Sequence, residues 1–247
     1  MGQIQLGLGL IGIGRPWPKA ETSIPASDQA AALLSTAVAL GIRFFDTAPA
    51  YGISEQRFGS FLKSCGSEVR DSLTIATKAG EFWSPEHGST VDHSPEALEG
   101  SLQRSLALLG RVDLLQLHKC TAETVKDVRV QSWLASIRGE RVGRVGASVS
   151  TPHDLRVAVD SGVFDTVQFP ANAQNVLLAH EFLDSGSSSV VPILNRPFAS
   201  GTLSSSSRPF DVFHDLFERA IVLTGTTSKV HLAENVRALN EGVSGVR

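Results

Sequence analysis

The 247-residue sequence holds a single tyrosine, a single methionine and two cysteines, and each scarcity removes a class of explanation. Cys65 and Cys120 stand alone, without the paired spacing of a zinc site or the density of a disulfide framework, so they read as reduced, structural thiols. Charge is also thin: 22 Lys and Arg against 25 Asp and Glu leave a net −3, with the cations scattered singly. A surface without a basic stripe offers no footprint to a polyanion, which argues against a nucleic-acid partner. No apolar run approaches the ~20 residues that span a bilayer, and the amino terminus lacks a cationic n-region. The expectation is a soluble, cytoplasmic protein with no membrane partner.

What is present is a recurring unit, a short apolar run followed by an amphipathic segment with a capped start. Apolar runs lie at 6–13, 44–45, 73–77, 112–118, 144–148, 166–169, 190–194 and 221–224. Helical spacing falls between them. Ser27 is the expected cap of a helix that stops at Gly41, and Ser94-Pro95 opens another that carries Leu98, Leu102, Leu106 and Leu109 on one face before Gly110. Further helices are expected over 130–138, from Thr151-Pro152 toward Val159, and over 175–183, 212–220 and 229–239. Runs apolar on both faces must be covered on both faces, and connecting helices make neighbouring strands parallel. Eight such units with no linker predict an α/β fold, a closed (β/α)8 TIM barrel spanning 1–247 as one domain.

In such a barrel the carboxyl ends of the strands face the site, so polar residues that end apolar runs are the candidates: Asp46, Lys78, His118, Ser148, Gln168 and Asn195. Singly, an acid caps a turn, a lysine is a solvated strand end and a histidine is a satisfied core residue. Together with Tyr51, the lone phenol five residues past Asp46, they form a set. Reducing a carbonyl by hydride needs a proton donor for the developing alkoxide. A phenol with its usual pKa near ~10 is a poor acid-base at neutral pH unless a buried cation lowers it. Lys78 can be that cation, Asp46 can keep the ammonium charged, and His118 can donate or accept at the carbonyl oxygen.

Asp46-Thr47-Ala48-x-x-Tyr51-Gly52, Thr77-Lys78 and Leu117-His118 resemble the motifs that carry the Asp, Tyr, Lys and His tetrad of the aldo-keto reductases, and the likeness runs from 8 to 239. The resemblance implies NAD(P)H-dependent reduction of a small-molecule aldehyde or ketone by a monomer or small homo-oligomer. It implies that Ser148 and Gln168 hold the nicotinamide carboxamide, that Arg196, Gly201 and Leu203 lie by the pyrophosphate, and that Thr226, Ser228, Lys229, Glu234 and Asn235 form the adenosine side. NADPH is preferred and NADH stays open. Several positions depart from the family's pattern: Val149 replaces an Asn beside the serine, Asn195 stands where a ring-stacking Tyr is common, and His231 and Gly225 replace a frequent Arg and Lys. Arg196 or Phe198 is left to stack on the ring. The short connection 201–211 implies an exposed site and broad substrate choice.

Rival readings have weaker support. Gly7-x-Gly9-x-x-Gly12 matches a dinucleotide fingerprint, but Arg15-Pro16-Trp17-Pro18 cannot open the helix that motif requires. Trp17 either lines the substrate pocket or packs on the surface. Seven histidines include no His-x-His pair, so a metal site lacks ligands. A non-catalytic sensor that binds nicotinamide cofactor and signals to a partner protein is the alternative from another class.

Overall fold

The computed structural model describes residues 3–16, 23–199, 203 and 209–244. Three strands come first, β1 (Gln3–Gly9), β2 (Phe44–Asp46) and β3 (Thr74–Ala79), followed by two short antiparallel strands, β4 (Glu81–Ser84) and β5 (Gly88–Val91). Five more complete the set: β6 (Leu114–Leu117), β7 (Arg144–Ser148), β8 (Thr166–Pro170), β9 (Val191–Asn195) and β10 (Arg219–Thr224). Eight of them close into a parallel barrel in the order β1-β10-β9-β8-β7-β6-β3-β2, as the alternating pattern predicts, and β4-β5 stand apart as a hairpin.

The helices, among the described residues, run as α1 (Ser27–Ala39), α2 (Ser54–Ser64), α3 (Ser67–Ser72), α4 (Pro95–Leu109), α5 (Ala122–Lys126), α6 (Val128–Ile137), α7 (Pro152–Asp160), α8 (Leu177–Asp184), α9 (Asp211–Leu216) and α10 (Lys229–Ser244). For α4 the local chemistry is that read from sequence: Ser94 Oγ accepts from Ala97 N at 3.3 Å, Pro95 takes the first position, and Gly110 ends the helix at φ 82°. Two expectations need correction. Ser27 is the first residue of α1 rather than its cap; Ala26 holds that place, and the Gln29 side chain accepts from the Ala26 backbone N–H at 3.0 Å. The helix expected over 212–220 stops at Leu216, because Arg219 and Ala220 already pair with Gln3 and Ile4 in the barrel.

The two-residue period of the strands divides the core. Phe45, Ile75, Leu115, Val145, Val167, Leu194 and Val222 point outward and join the helices in the main apolar cluster. Phe44, Ala76, Leu114, Ile193, Ile221 and Leu223 alternate with them and fill the barrel interior. Gly7 makes room for that inner set, since a Cβ there would lie 2.8 Å from Leu223 and 3.0 Å from Phe44. Moving two residues along the same faces leads from Phe44 to Asp46, from Ala76 to Lys78, from Leu114 to Gln116 and from Ile193 to Asn195. The apolar interior is therefore roofed by a polar layer, and sequence register alone puts it there.

Candidate active site

Asp46 and Lys78 are almost fully buried, at 2% and 1% exposure, so each charge survives only through its partners. The Lys78 ammonium spends its three protons within the site. It donates to Asp46 Oδ2 at 2.5 Å, to the Thr47 carbonyl at 3.2 Å and to the Tyr51 hydroxyl at 3.2 Å. Asp46 Oδ1 accepts from Gln116 Nε2 at 2.9 Å, which holds the carboxylate from the far side. Burial alone would lower the lysine pKa, but Asp46 and Tyr51 outweigh it and the net shift is upward, so Lys78 stays a cation.

Tyr51 corrects a step of the sequence argument. Burial pushes the phenol pKa up, and Lys78, which pulls it down, does not win; the net shift is upward. Tyr51 is thus held as a neutral phenol, able to donate a proton, with a cation beside it.

His118 follows β6 at 12% side-chain exposure and meets Tyr51 edge-on, with ring centroids 5.8 Å apart. Its Nδ1 lies 2.8 Å from Glu81 Oε2 on β4. Burial lowers its pKa more than Glu81 raises it, and Lys78 adds to the lowering, so the ring is neutral at neutral pH. The His118 carbonyl meets His93 Nε2 at 2.8 Å, fixing the backbone of the turn. Asp46, Tyr51, Lys78 and His118 come together as the sequence predicts. Gln116, Glu81 and His93 were missed: Gln116 lies within the apolar run 112–118, two residues on from Leu114, and could have been found by that period, whereas nothing in sequence ties Glu81 to His118.

The Tyr51 loop is clamped against the segment after β1. Ile53 N donates to the Gly14 carbonyl at 3.1 Å, and Ser54 Oγ to the Leu10 carbonyl at 3.0 Å. Here Ile11–Ile13 form a 3-10 turn, and among the described residues no α-helix opens before Ser27. A Cβ on Gly14 would sit 1.8 Å from the Tyr51 carbonyl oxygen. Gly14→Ala should therefore displace the tyrosine, cost about 1–3 kcal/mol of stability and lower turnover at least tenfold, read by thermal unfolding and steady-state kinetics. Wild-type turnover in that variant would show that Tyr51 placement does not depend on the clamp.

The remaining candidates lie along the same rim. Ser148 and Gln168 are register partners on β7 and β8, and the Gln168 Oε1 is buried without a hydrogen-bond partner. Val149 is buried in the apolar cluster, so no polar group replaces the expected Asn. Asn195, at the end of β9, also has an unpartnered buried Oδ1. Arg196 is exposed at φ 58°, and Phe198 packs edge-on against Phe210 at 5.5 Å. Leu203 N donates to the Phe198 carbonyl. At the start of α10 the Ser228 Oγ accepts from His231 N at 3.3 Å, Thr226 Oγ1 accepts from Ser228 N, and Lys229 is exposed in the first turn. Glu234 is half-buried, and Asn235 is turned inward, donating to Thr224 Oγ1 at 2.7 Å. Trp17 and Gly201 lie outside the described residues. Among the described residues no three His, Cys, Asp or Glu side chains converge on a metal position, both cysteines are free, and no helix is long and apolar enough to cross a membrane.

A family model described as the aldo/keto reductase family matches residues 5–239. D-threo-aldose 1-dehydrogenase of Pseudomonas sp is 36% identical over 116 residues, 38% of this chain and 34% of that protein. L-glyceraldehyde 3-phosphate reductase of Escherichia coli is 30% identical over 144 residues, 56% of this chain and 41% of that protein. The matches thus span well under half the length of these relatives. A Pseudomonas aeruginosa protein described as an aldo-keto reductase superposes with a TM-score of 0.83 at 28% identity, covering 96% of this chain and 90% of that one.

Proposed function

The chain belongs to the aldo/keto reductase family, and from that premise we propose that it reduces an aldehyde or ketone to an alcohol, as one barrel domain, with a nicotinamide cofactor as reductant. The observation that carries the reading is the Lys78 ammonium held between the Asp46 carboxylate and the Tyr51 hydroxyl. The residues at the rim fit the cofactor. Gln168 Oε1, buried and unpartnered, is an acceptor for a carboxamide N–H with Ser148 beside it. The capped start of α10, with Ser228, Thr226 and the exposed Lys229, suits a phosphate, which favours NADPH over NADH. Arg196 and Leu203 would border the pyrophosphate, and Glu234 and Asn235 the adenosine. Bound there, a reduced nicotinamide supplies hydride to the carbonyl carbon.

The chain's own residues handle the oxygen. As the carbonyl π pair moves onto oxygen, Tyr51 gives up its proton and becomes a phenolate, which the ammonium 3.2 Å away stabilises. Asp46 keeps that ammonium charged and aimed. His118, neutral and opposite Tyr51, orients the substrate. Purified protein should oxidise NADPH when given a panel of aldehydes; none consumed across the panel would overturn the reading.

The pH dependence has a definite sign. A phenol whose pKa is raised keeps its proton through the neutral and mildly alkaline range, so kcat/KM for reduction should hold level from about pH 6 to 9. Alcohol oxidation by the same site needs the phenolate and should climb over that range. Profiles in both directions check this, and a reductive limb falling near pH 7 to 8 would show that Lys78 outweighs burial after all.

A further inference from the structure

Glu55 is a buried carboxyl for which proton donation by Tyr51 has no direct use. It lies in the first turn of α2, four residues past Tyr51, at 3% exposure. Its Oε1 accepts from the Thr77 hydroxyl at 2.6 Å and from the Ser105 hydroxyl at 2.8 Å. Both donors are fully buried, one on β3 and one on α4. Burial lifts the Glu55 carboxyl above its ordinary pKa, and Thr77, Ser105, Arg104 and Lys78 together do not bring it back. For packing alone a leucine would fill this position without that cost, because a carboxyl taken from water is expensive and a hydrocarbon is not.

What the carboxyl reaches is specific. Thr77 precedes Lys78 on β3, and the two-residue period of the strand turns Lys78 inward with Ala76 and Thr77 outward with Ile75, toward the helices. The residue before Glu55 makes a matching contact. Ser54 Oγ donates to the Leu10 carbonyl, so the Thr47 hydroxyl, 2.9 Å away, is the donor to Ser54. Thr47 in turn follows Asp46. Two consecutive residues just past the Tyr51 turn therefore grip the chain neighbours of Asp46 and of Lys78. One turn further along α2, Gly59 lies against α4, where a Cβ would sit 2.1 Å from the Leu108 carbonyl oxygen. Close packing thus holds α2 on α4, while Glu55 sets it against β3.

We propose that Glu55 is a positioning residue: by gripping Thr77 it sets the Tyr51 turn against β3, so that the Tyr51 hydroxyl meets the Lys78 ammonium. The consequence for turnover rests on the reductase reading; the placement of the two side chains does not.

The test compares Glu55→Leu, which fills the site without an acceptor, with Glu55→Gln, whose amide oxygen still accepts from both hydroxyls. Tyr51 is the chain's single tyrosine, so its hydroxyl-bearing ring carbon gives one carbon-13 signal, which senses the ammonium 3.2 Å from the hydroxyl. Glu55→Leu should move that signal and lower kcat at least about tenfold, with the substrate KM changed by less than about threefold. Glu55→Gln should leave the signal in place and kcat within about twofold of the wild type. Thr77→Val removes the same bond from the strand side with a side chain of similar shape and should reproduce both losses. Ser105→Ala loosens only the α4 contact and should change neither. An unmoved signal in folded Glu55→Leu or in Thr77→Val would overturn the proposal. So would a signal displaced as far in Glu55→Gln as in Glu55→Leu, which would make the charge the agent instead of the grip. If the wild type turns over no carbonyl compound, the reductase reading falls, and the tyrosine signal still decides the placement.

Discussion

Tyr51→Phe should lower carbonyl reduction by about 10²- to 10⁴-fold while leaving cofactor affinity nearly unchanged, because in the proposed reaction it removes the proton donor and nothing that holds the cofactor. The phenyl ring keeps the edge-on packing against His118 and its place under the Lys78 ammonium, whose nitrogen lies 4.9 Å from the ring centroid. What disappears is the hydroxyl, and with it one of three acceptors of the ammonium. Asp46 Oδ2 and the Thr47 carbonyl remain, so the lysine stays charged and the fold should lose only about 1 kcal/mol. Sequence supports this singular role, since no second tyrosine exists to take over. The measurements are single-turnover reduction and fluorescence titration with NADPH. Substantial turnover in the variant would refute the assignment of the proton donor, and lost cofactor binding would show that Tyr51 shapes the cofactor site instead.

The barrel and the four central residues were legible for one reason: each depends on a short-range pattern. Apolar runs marked the eight staves, and the polar residues that end them at Asp46, Lys78 and His118 marked the mouth. Two-residue alternation would also have exposed Gln116, which sits within an apolar run on the inward face and holds Asp46. Glu81 was not legible. It lies on a four-residue strand of a hairpin outside the barrel, and its partner comes 37 residues later, so only the closed fold joins them. The direction of the Tyr51 shift was hidden for a related reason. Sequence shows that a lysine can approach the phenol, which favours the phenolate, but not how completely water is removed from both, and here removal of water dominates. The helix expected over 212–220 failed at its end because helical spacing cannot register that Arg219 and Ala220 pair with β1.

Lys78→Met should destabilise the protein by about 3–5 kcal/mol as well as abolish activity, because it leaves the Asp46 carboxylate buried with only Gln116 and no cation. The methionine fills most of the lysine's volume, so cavity formation contributes little to that cost and the unpaired charge dominates. That attribution is separable. Adding Asp46→Leu removes the stranded carboxylate, and the double variant should recover about 1–3 kcal/mol relative to Lys78→Met while remaining inactive. Recovery is incomplete because Gln116 Nε2 then loses its acceptor, and its Oε1 already lacks a partner. Urea unfolding of the wild type, both single variants and the double variant gives the coupling directly, with an unchanged m-value as the sign that the same cooperative unit is unfolding. Additive losses in the double variant would mean that the pair is not electrostatically coupled. Restored stability without restored turnover would place the pair's value in chemistry rather than in holding the barrel together: the fold tolerates an apolar substitute at these two positions, whereas a phenolate forming at Tyr51 requires a cation beside it.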